Sequence, residues 1–346
     1  MSHVVITIVT WNSMRYLPEA LASIEAQTFR DWSLLIIDNA SSDGVAEFVR
    51  ANHPKAMIIR NTQNLGFCRA HNQGIAYAKA QLAREGVELF VLVTNPDVIL
   101  EPDYLETLLD SVERRPEVGS AVGKLLKIRE RGEGALREGE RTSVIDSTGI
   151  KICKNRRLVE RGAGESDEEG RFGKTEEIFG VSGALALYRL AALEDIAVKN
   201  EYFDEDFFVY KEDIDVAWRL RLRGWAALYV PRAKAYHYRA AYGRDRASFL
   251  EVIRGRRGRS RVVNYFSYRN HLLLLLKDEQ LANGLLDMPR IAWYELRKFL
   301  YVLFAEPSTL RAIPSYLALL PKMLGKRRAI MRGARVKAKD VRKWFA

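Results

Sequence analysis

The chain has 346 residues, enough for one large domain with appendages or for two domains. Hydrophobic residues make up 48%, which excludes global disorder, and the two distant cysteines, Cys68 and Cys153, offer neither a disulfide framework nor metal-ligand spacing. The formal charge of +11 gathers late: residues 322–346 hold ten Lys or Arg against one acid, Asp340, and residues 252–263 hold five Arg and no acid. The rest is mildly acidic, so the charge does not make the N-terminal half a nucleic-acid surface.

Residues 3–115 alternate between two hydrophobic periods. Strands are predicted at 3–10, 32–38, 56–61 and 89–94. Helices are predicted at 16–27, 44–52, 67–84 and 102–114. Strand–helix alternation with short links gives a parallel, doubly wound sheet. Trp11, Asn12 and Ser13 stand where a dinucleotide-binding fold carries its glycine-rich turn. Further on, 118–128 reads as a strand, 129–141 as a polar excursion, 144–159 as a hairpin or pair of strands, and 162–174 as a Gly-rich loop. A short strand at 178–181 precedes a helix over 183–193. A helix over 212–223 ends at Gly224, followed by strands at 225–230 and 234–237. Residues 263–277, with Tyr268-Arg269-Asn270, read as a helix. From Pro289 onward the pattern is amphipathic helix interrupted by prolines. No run reaches the ~18 apolar residues of a spanning helix. The N-terminus shows no basic leader, so the expected location is the cytoplasm.

Two stretches concentrate carboxylates at element ends. Asp97, in Thr94-Asn95-Pro96-Asp97, follows an apolar strand, where open α/β sheets place ligands. Its oxygen suits a hard divalent cation. Glu212, Asp213 and Asp215 crowd a helix start, where acids serve the helix dipole or accept a proton. Burial and mutual repulsion there should raise at least one carboxyl pKa.

These stretches, with Val9-Thr10-Trp11-Asn12, Asp38-Asn39-Ala40-Ser41-Ser42-Asp43-Gly44, Asn64-Leu65-Gly66-Phe67, Asn72-Gln73-Gly74, Val181-Ser182-Gly183-Ala184 and His237, stand in the order found in family 2 glycosyltransferases. Over about residues 3–275 the chain resembles the rhamnosyltransferase branch of that family. The resemblance implies a GT-A fold at 1–240: a doubly wound, mostly parallel nucleotide-binding sheet, its donor half about 1–115 and its acceptor half about 116–240. A helical, basic extension at 241–346 would follow.

The resemblance further implies an inverting transfer from a nucleotide diphosphate sugar, dTDP-rhamnose first and a UDP-sugar next, to a lipid-linked or glycan acceptor in cell-envelope synthesis. Asp213 is implied as base with Glu212 beside it. Thr10, Asn12, Asp38, Asn64, Gly66, Arg69, Asn72 and Asn95 are implied on the donor, with a solvent-exposed alternative for Arg69. Gly183 and Ala184 are implied as a helix start facing the acceptor. Asp97 and His237 are implied as ligands of Mg²⁺ or Mn²⁺. Asn95 replaces the first acid of the usual Asp-x-Asp, which leaves Asp97 as the anionic ligand.

The basic, aromatic-bearing tail is expected to lie on an anionic membrane at the membrane's inner face, with residues 291–305 as the alternative contact and another subunit as the alternative partner. Its removal from Lys322 onward is expected to spare the sheet. A nucleotidyltransferase and a catalytically weak nucleotide-sugar-binding protein are the alternatives. The first lacks its glycine-rich basic loop after strand one.

Overall fold

The computed structural model describes residues 1–131, 138–238 and 260–346. Strands β1 (Ser2–Thr10), β2 (Trp32–Asp38), β3 (Met57–Arg60) and β4 (Glu88–Thr94) alternate with helices α1 (Leu17–Glu25), α2 (Val45–Asn52) and α3 (Gly66–Tyr77). The predicted helix over 67–84 changes hydrogen-bond pitch, becoming a π-turn at Ala78–Leu82. β1 pairs in parallel with both β2 and β4, and β2 with β3. β1 and β4 are buried almost throughout because both sheet faces are covered.

β5 (Val98–Leu100) and α4 (Tyr104–Val112) lead to the long β6 (Val118–Arg131) and β7 (Glu138–Ser147). These two pair antiparallel, so both flanks of the predicted 129–141 excursion are strand; residues 132–137 lie outside the described residues. β8 (Ile150–Ile152) and β9 (Leu158–Glu160) form a small hairpin, and β10 (Glu176–Ile178) is an edge strand.

The helix expected over 183–193 is corrected. Residues Leu185–Arg189 form β11, and only Leu190–Ile196 is helical, as α5. β11 inserts antiparallel between β4 and β6, with all five residues buried. A strand covered on both faces has no alternation to distinguish it from a buried helix.

After α6 (Glu212–Arg223), the two strands expected at 225–230 and 234–237 are one, β12 (Ala226–His237). Its register against β6 shifts between Val230 and Lys234, around Pro231, which has no N–H to give a ladder. The main path reads β3-β2-β1-β4-β11-β6-β12-β10. One core packs α1, α2 and α4 on one face, and the other packs α3, α5 and α6.

The C-terminal helices are α7 (Arg261–Asp278), α8 (Leu281–Ala305), α9 (Ala312–Gly333) and α10 (Ala338–Arg342). Pro289 and Pro321 lie inside α8 and α9 rather than ending them. Leu273, Met323, Ile330, Val341 and Phe345 belong to the same core as α3 and α6. The Phe345 ring meets Trp218 edge-on at 5.6 Å, and the backbone of Ala346 bonds to Ile152 and Lys154. The tail is therefore built into the core, and the expectation that it can be cut at Lys322 without harm is corrected.

Candidate active site

The carboxyl ends of the parallel strands form one edge. Thr10 is opposite Asp38, and Ile8 is opposite Thr94. Thr10 and Asp38 are fully buried, and the Thr10 hydroxyl donates to Asp38 Oδ1 at 3.2 Å. Asp38 Oδ2 has no hydrogen-bond donor, although Arg60 Nε lies 3.4 Å away. A buried carboxylate oxygen with an open valence at a strand end is an acceptor available to a ligand N–H.

Asn12 adopts φ 52°, and its side-chain oxygen accepts from Ser42 N–H at 2.9 Å, tying the β1 loop to the β2 loop. Asn64 Oδ1 accepts from Gly66 N–H at 2.9 Å and lies 3.3 Å from the Asn39 amide. Gly66 has φ +80°, and a Cβ there would lie 2.5 Å from the Phe208 ring. Only glycine fits. Thr10, Asn12, Asp38, Asn64 and Gly66 are thus brought together.

Two other expected donor residues are engaged otherwise. The Asn72 side chain donates to Phe203 C=O at 2.8 Å and accepts from its N–H at 2.9 Å, which pins α3 to the segment before α6. Arg69 is exposed, with Nε 3.8 Å from Glu205.

Asp97 lies between β4 and β5. β5 pairs with the end of β12 so that His237 faces Val98. This register brings His237 Nε2 to 3.2 Å from Asp97 Oδ1. His237 Nδ1 is 2.9 Å from Asp146 Oδ2. Asp146, on β7, is almost wholly buried. Burial alone would lower the His237 pKa, but hydrogen bonds to Asp146 and Asp97 outweigh it and hold it at about 9. Asp146 escaped sequence reasoning; its only trace was an acid directly after the apolar pair Val144-Ile145.

The donor set fits a divalent cation. An imidazole nitrogen and a half-exposed carboxylate oxygen converge. A carboxylate on the far ring nitrogen fixes the tautomer that leaves Nε2 free for a metal. A second acidic group, Glu201, Asp204 and Asp206, also gathers its oxygens closely. The Lys326 ammonium already sits among them, at 2.7, 2.6 and 2.9 Å.

Asp213 is joined to this edge through β11. Asn95 N–H donates to Ala184 C=O at 3.0 Å, and Gly183 N–H donates to Asp213 Oδ2 at 3.1 Å. Gly183 and Ala184 are corrected from a helix start to the turn entering β11. A Cβ on Gly183 would lie 3.2 Å from Asp213 Cβ, so its absence lets the carboxylate approach the backbone. Asp213 remains partly exposed, whereas Glu212 is buried with Oε2 unpartnered. Burial, then the Asp213 charge, pushes the Glu212 carboxyl up to about 8.

Asp215 takes a structural role. It is fully buried, paired with Arg219 at 2.6 Å and with Lys277.

The loop before α6 is held in left-handed backbone: Phe208, Tyr210 and Lys211 have φ of 64°, 70° and 74°. Such conformations cost about 1–3 kcal/mol each and persist only where surroundings enforce them. The fully buried Asn270 of α7 does so, its amide donating to the carbonyls of Phe207, Val209 and Tyr210 at 2.8–2.9 Å. Sequence reading saw the Tyr268-Arg269-Asn270 triplet but gave it no task.

The Glu212 shift has a measurable consequence. An acid raised from 4.5 to about 8 binds its proton more tightly when folded. Its contribution to stability is complete below the unfolded pKa and is lost as pH rises through the folded one. Glu212→Gln is expected to flatten the fall in urea midpoint between these values. Parallel curves for parent and variant would remove this assignment.

The model for glycosyl transferase family 2 matches residues 5–197. The chain is similar to N-acetylglucosaminyl-diphospho-decaprenol L-rhamnosyltransferase of Mycobacterium tuberculosis. Identity is 30% over 250 residues, 71% of this chain and 79% of that one. It is also similar to poly-beta-1,6-N-acetyl-D-glucosamine synthase of Staphylococcus epidermidis, at 25% over 228 residues, 64% of this chain and 47% of the synthase.

Among solved structures, GalNAc-T7 with UDP, GalNAc and Mn²⁺ aligns with TM-score 0.58 and 14% identity, over 99% of this chain and 58% of that one. S. aureus TarS 1-349 in complex with UDP-GlcNAc aligns with TM-score 0.52 and 16% identity, over 99% of this chain and 89% of that one. At these identities the likeness speaks to the fold, which is GT-A.

Proposed function

This chain belongs to glycosyl transferase family 2, and we propose that it transfers rhamnose, with inversion, from dTDP-rhamnose to a hydroxyl of a lipid-linked saccharide during cell-envelope glycan synthesis. The observation that carries this is the convergence on one sheet edge of the Thr10–Asp38 pair, the Asp97–His237 pair and Asp213. The rhamnosyl donor and lipid-linked acceptor follow the activity for which the Mycobacterium relative is named, and a UDP-sugar is the next donor. Reaction at the cytoplasmic membrane face accords with such an acceptor.

Asp38 Oδ2 is available to accept from the pyrimidine imide N–H, with Thr10, Asn12, Asn64 and Gly66 shaping the nucleoside pocket. Asn95 lies against the donor, whereas Arg69 and Asn72 are committed to Glu205 and to the Phe203 backbone. Asp97 and His237 would hold Mg²⁺ or Mn²⁺, with Asp146 orienting the imidazole. Such a cation supplies charge neutralisation for the departing diphosphate.

Asp213 takes the proton of the acceptor hydroxyl as that oxygen bonds to the anomeric carbon and the bond to the diphosphate breaks. The Gly183–Ala184 turn holds its carboxylate toward the acceptor side. Glu212, buried beside Asp213 and protonated near neutrality, orients the loop rather than taking the acceptor proton. No second carboxylate is needed as a nucleophile, in keeping with direct displacement.

A hydrolysis and transfer screen across nucleotide sugars with Mg²⁺ or Mn²⁺ tests the donor. dTDP-rhamnose is expected to be turned over first; turnover of UDP-sugars alone would overturn the rhamnosyl assignment. Asp97→Ala and His237→Ala are each expected to abolish measurable transfer while thermal melting stays cooperative, and EDTA is expected to do the same to the parent. Transfer that survives both EDTA and the substitutions would rule out a metal at this pair.

A further inference from the structure

We infer that the outward face of α8 is a docking surface for an anionic lipid bilayer, which it contacts without crossing. The helix is mounted with inverted polarity. Its acidic and amide residues face the protein: Asp287 is fully buried against Arg156 at 3.0 Å and Arg342 at 2.8 Å. Asn283 donates to Ala338 C=O at 2.8 Å, and Glu295 pairs with His271 at 2.6 Å. Most of its apolar residues face solvent, Val302 being the fully buried exception. Leu285, Met288, Trp293, Leu296, Leu300 and Phe304 are exposed, with Trp293 at 61% and Phe304 at 80%.

A helix that serves only the fold buries its apolar stripe. This one uses charged anchors to turn the stripe outward, and large contiguous apolar surface marks a contact.

Charge selects the occupant. Between residues 281 and 333, every exposed ionisable side chain is Lys or Arg, including Arg290, Arg297, Arg311, Arg328 and Arg332; Lys322 among them is paired with Asp206. The acids Asp287 and Glu295 are turned inward, and Glu306 is half-buried. Apolar and aromatic side chains rimmed by basic ones match the interface of an anionic bilayer. A second copy would set this basic rim against its like.

No described helix is long and apolar enough to cross a membrane, which fits a helix lying in the surface plane. The contact therefore resides in α8, not in the tail after Lys322, where Lys326, Arg335 and Arg342 are committed to acids of the protein. This inference does not depend on the donor or acceptor.

The test is flotation of the full chain with phosphatidylcholine vesicles containing a minority of phosphatidylglycerol. The parent is expected to float at low salt. The double variant Trp293→Ser/Phe304→Ser is expected to float roughly tenfold less, with unchanged melting and unchanged donor hydrolysis, because both side chains are exposed. Lys339→Ser/Lys343→Ser, on the tail, is expected to float like the parent. Failure of the parent to float, or equal flotation of the α8 variant, overturns the proposal. So does a parent that sediments as a dimer without vesicles and becomes monomeric with the α8 substitutions, which would assign the face to a second copy.

Discussion

Asp213→Asn is expected to slow sugar transfer by about 10²–10⁴ while donor affinity changes little. The amide keeps the size of the carboxylate, and its oxygen can still accept one of the two N–H groups, Gly183 or Ile214, that hold Asp213. What it loses is the ability to take a proton. The neighbouring acid is a poor substitute at neutral pH, because burial keeps Glu212 protonated up to about 8. Single-turnover transfer with saturating donor reads the chemical step, and the KM for donor reads binding. A variant transferring at the parent rate would move the base elsewhere. Rate recovered only above the Glu212 pKa would point to Glu212.

Lys326→Met is expected to destabilise the protein by about 3–5 kcal/mol. The ammonium of Lys326 is buried at the centre of Glu201, Asp204 and Asp206. Asp204 also pairs with Lys277 at 2.5 Å, and Lys277 reaches Asp215 of α6. Burial by itself would push the Asp204 carboxyl up; Lys277 and then Lys326 outweigh it and hold it well below the usual carboxylate range.

Removing one cation strands buried negative charge beneath the helix that presents Asp213. Methionine preserves the aliphatic volume, so the loss reads charge and not a cavity. Urea unfolding should show the lower midpoint with an unchanged slope. A change under about 1 kcal/mol, the value of an exposed pair, would mean the network is solvated. Cutting the chain before Lys322 removes Lys326 together with Met323, Ile330, Val341 and Phe345 from the core. That truncation is expected to leave no cooperative fold.

The donor half was legible in the sequence because its signals are local. Parallel strands buried on both faces read as continuous apolar runs, and the helices between them show a 3.6-residue period. The bounds of β2 and α6 coincide with the expected ones. Asp97 and Asp213 could be singled out because each stands at a strand or helix end, where chemistry sits in such sheets.

What the sequence could not supply depends on partners distant along the chain. Leu185–Arg189 is a strand only because β4 and β6 offer ladder groups on both sides. Asp146 meets His237 across 91 positions because β7 and β12 both pair with β6. Asn270 finds its three carbonyls some sixty residues back, and nothing in its own neighbourhood marks them. The tail shows the limit most plainly. Its composition correctly announced basic, amphipathic helices, but composition does not say which face turns inward. Tertiary pairing settled that, since buried acids such as Asp204 and Asp287 require cations, and the tail's Lys and Arg supply them.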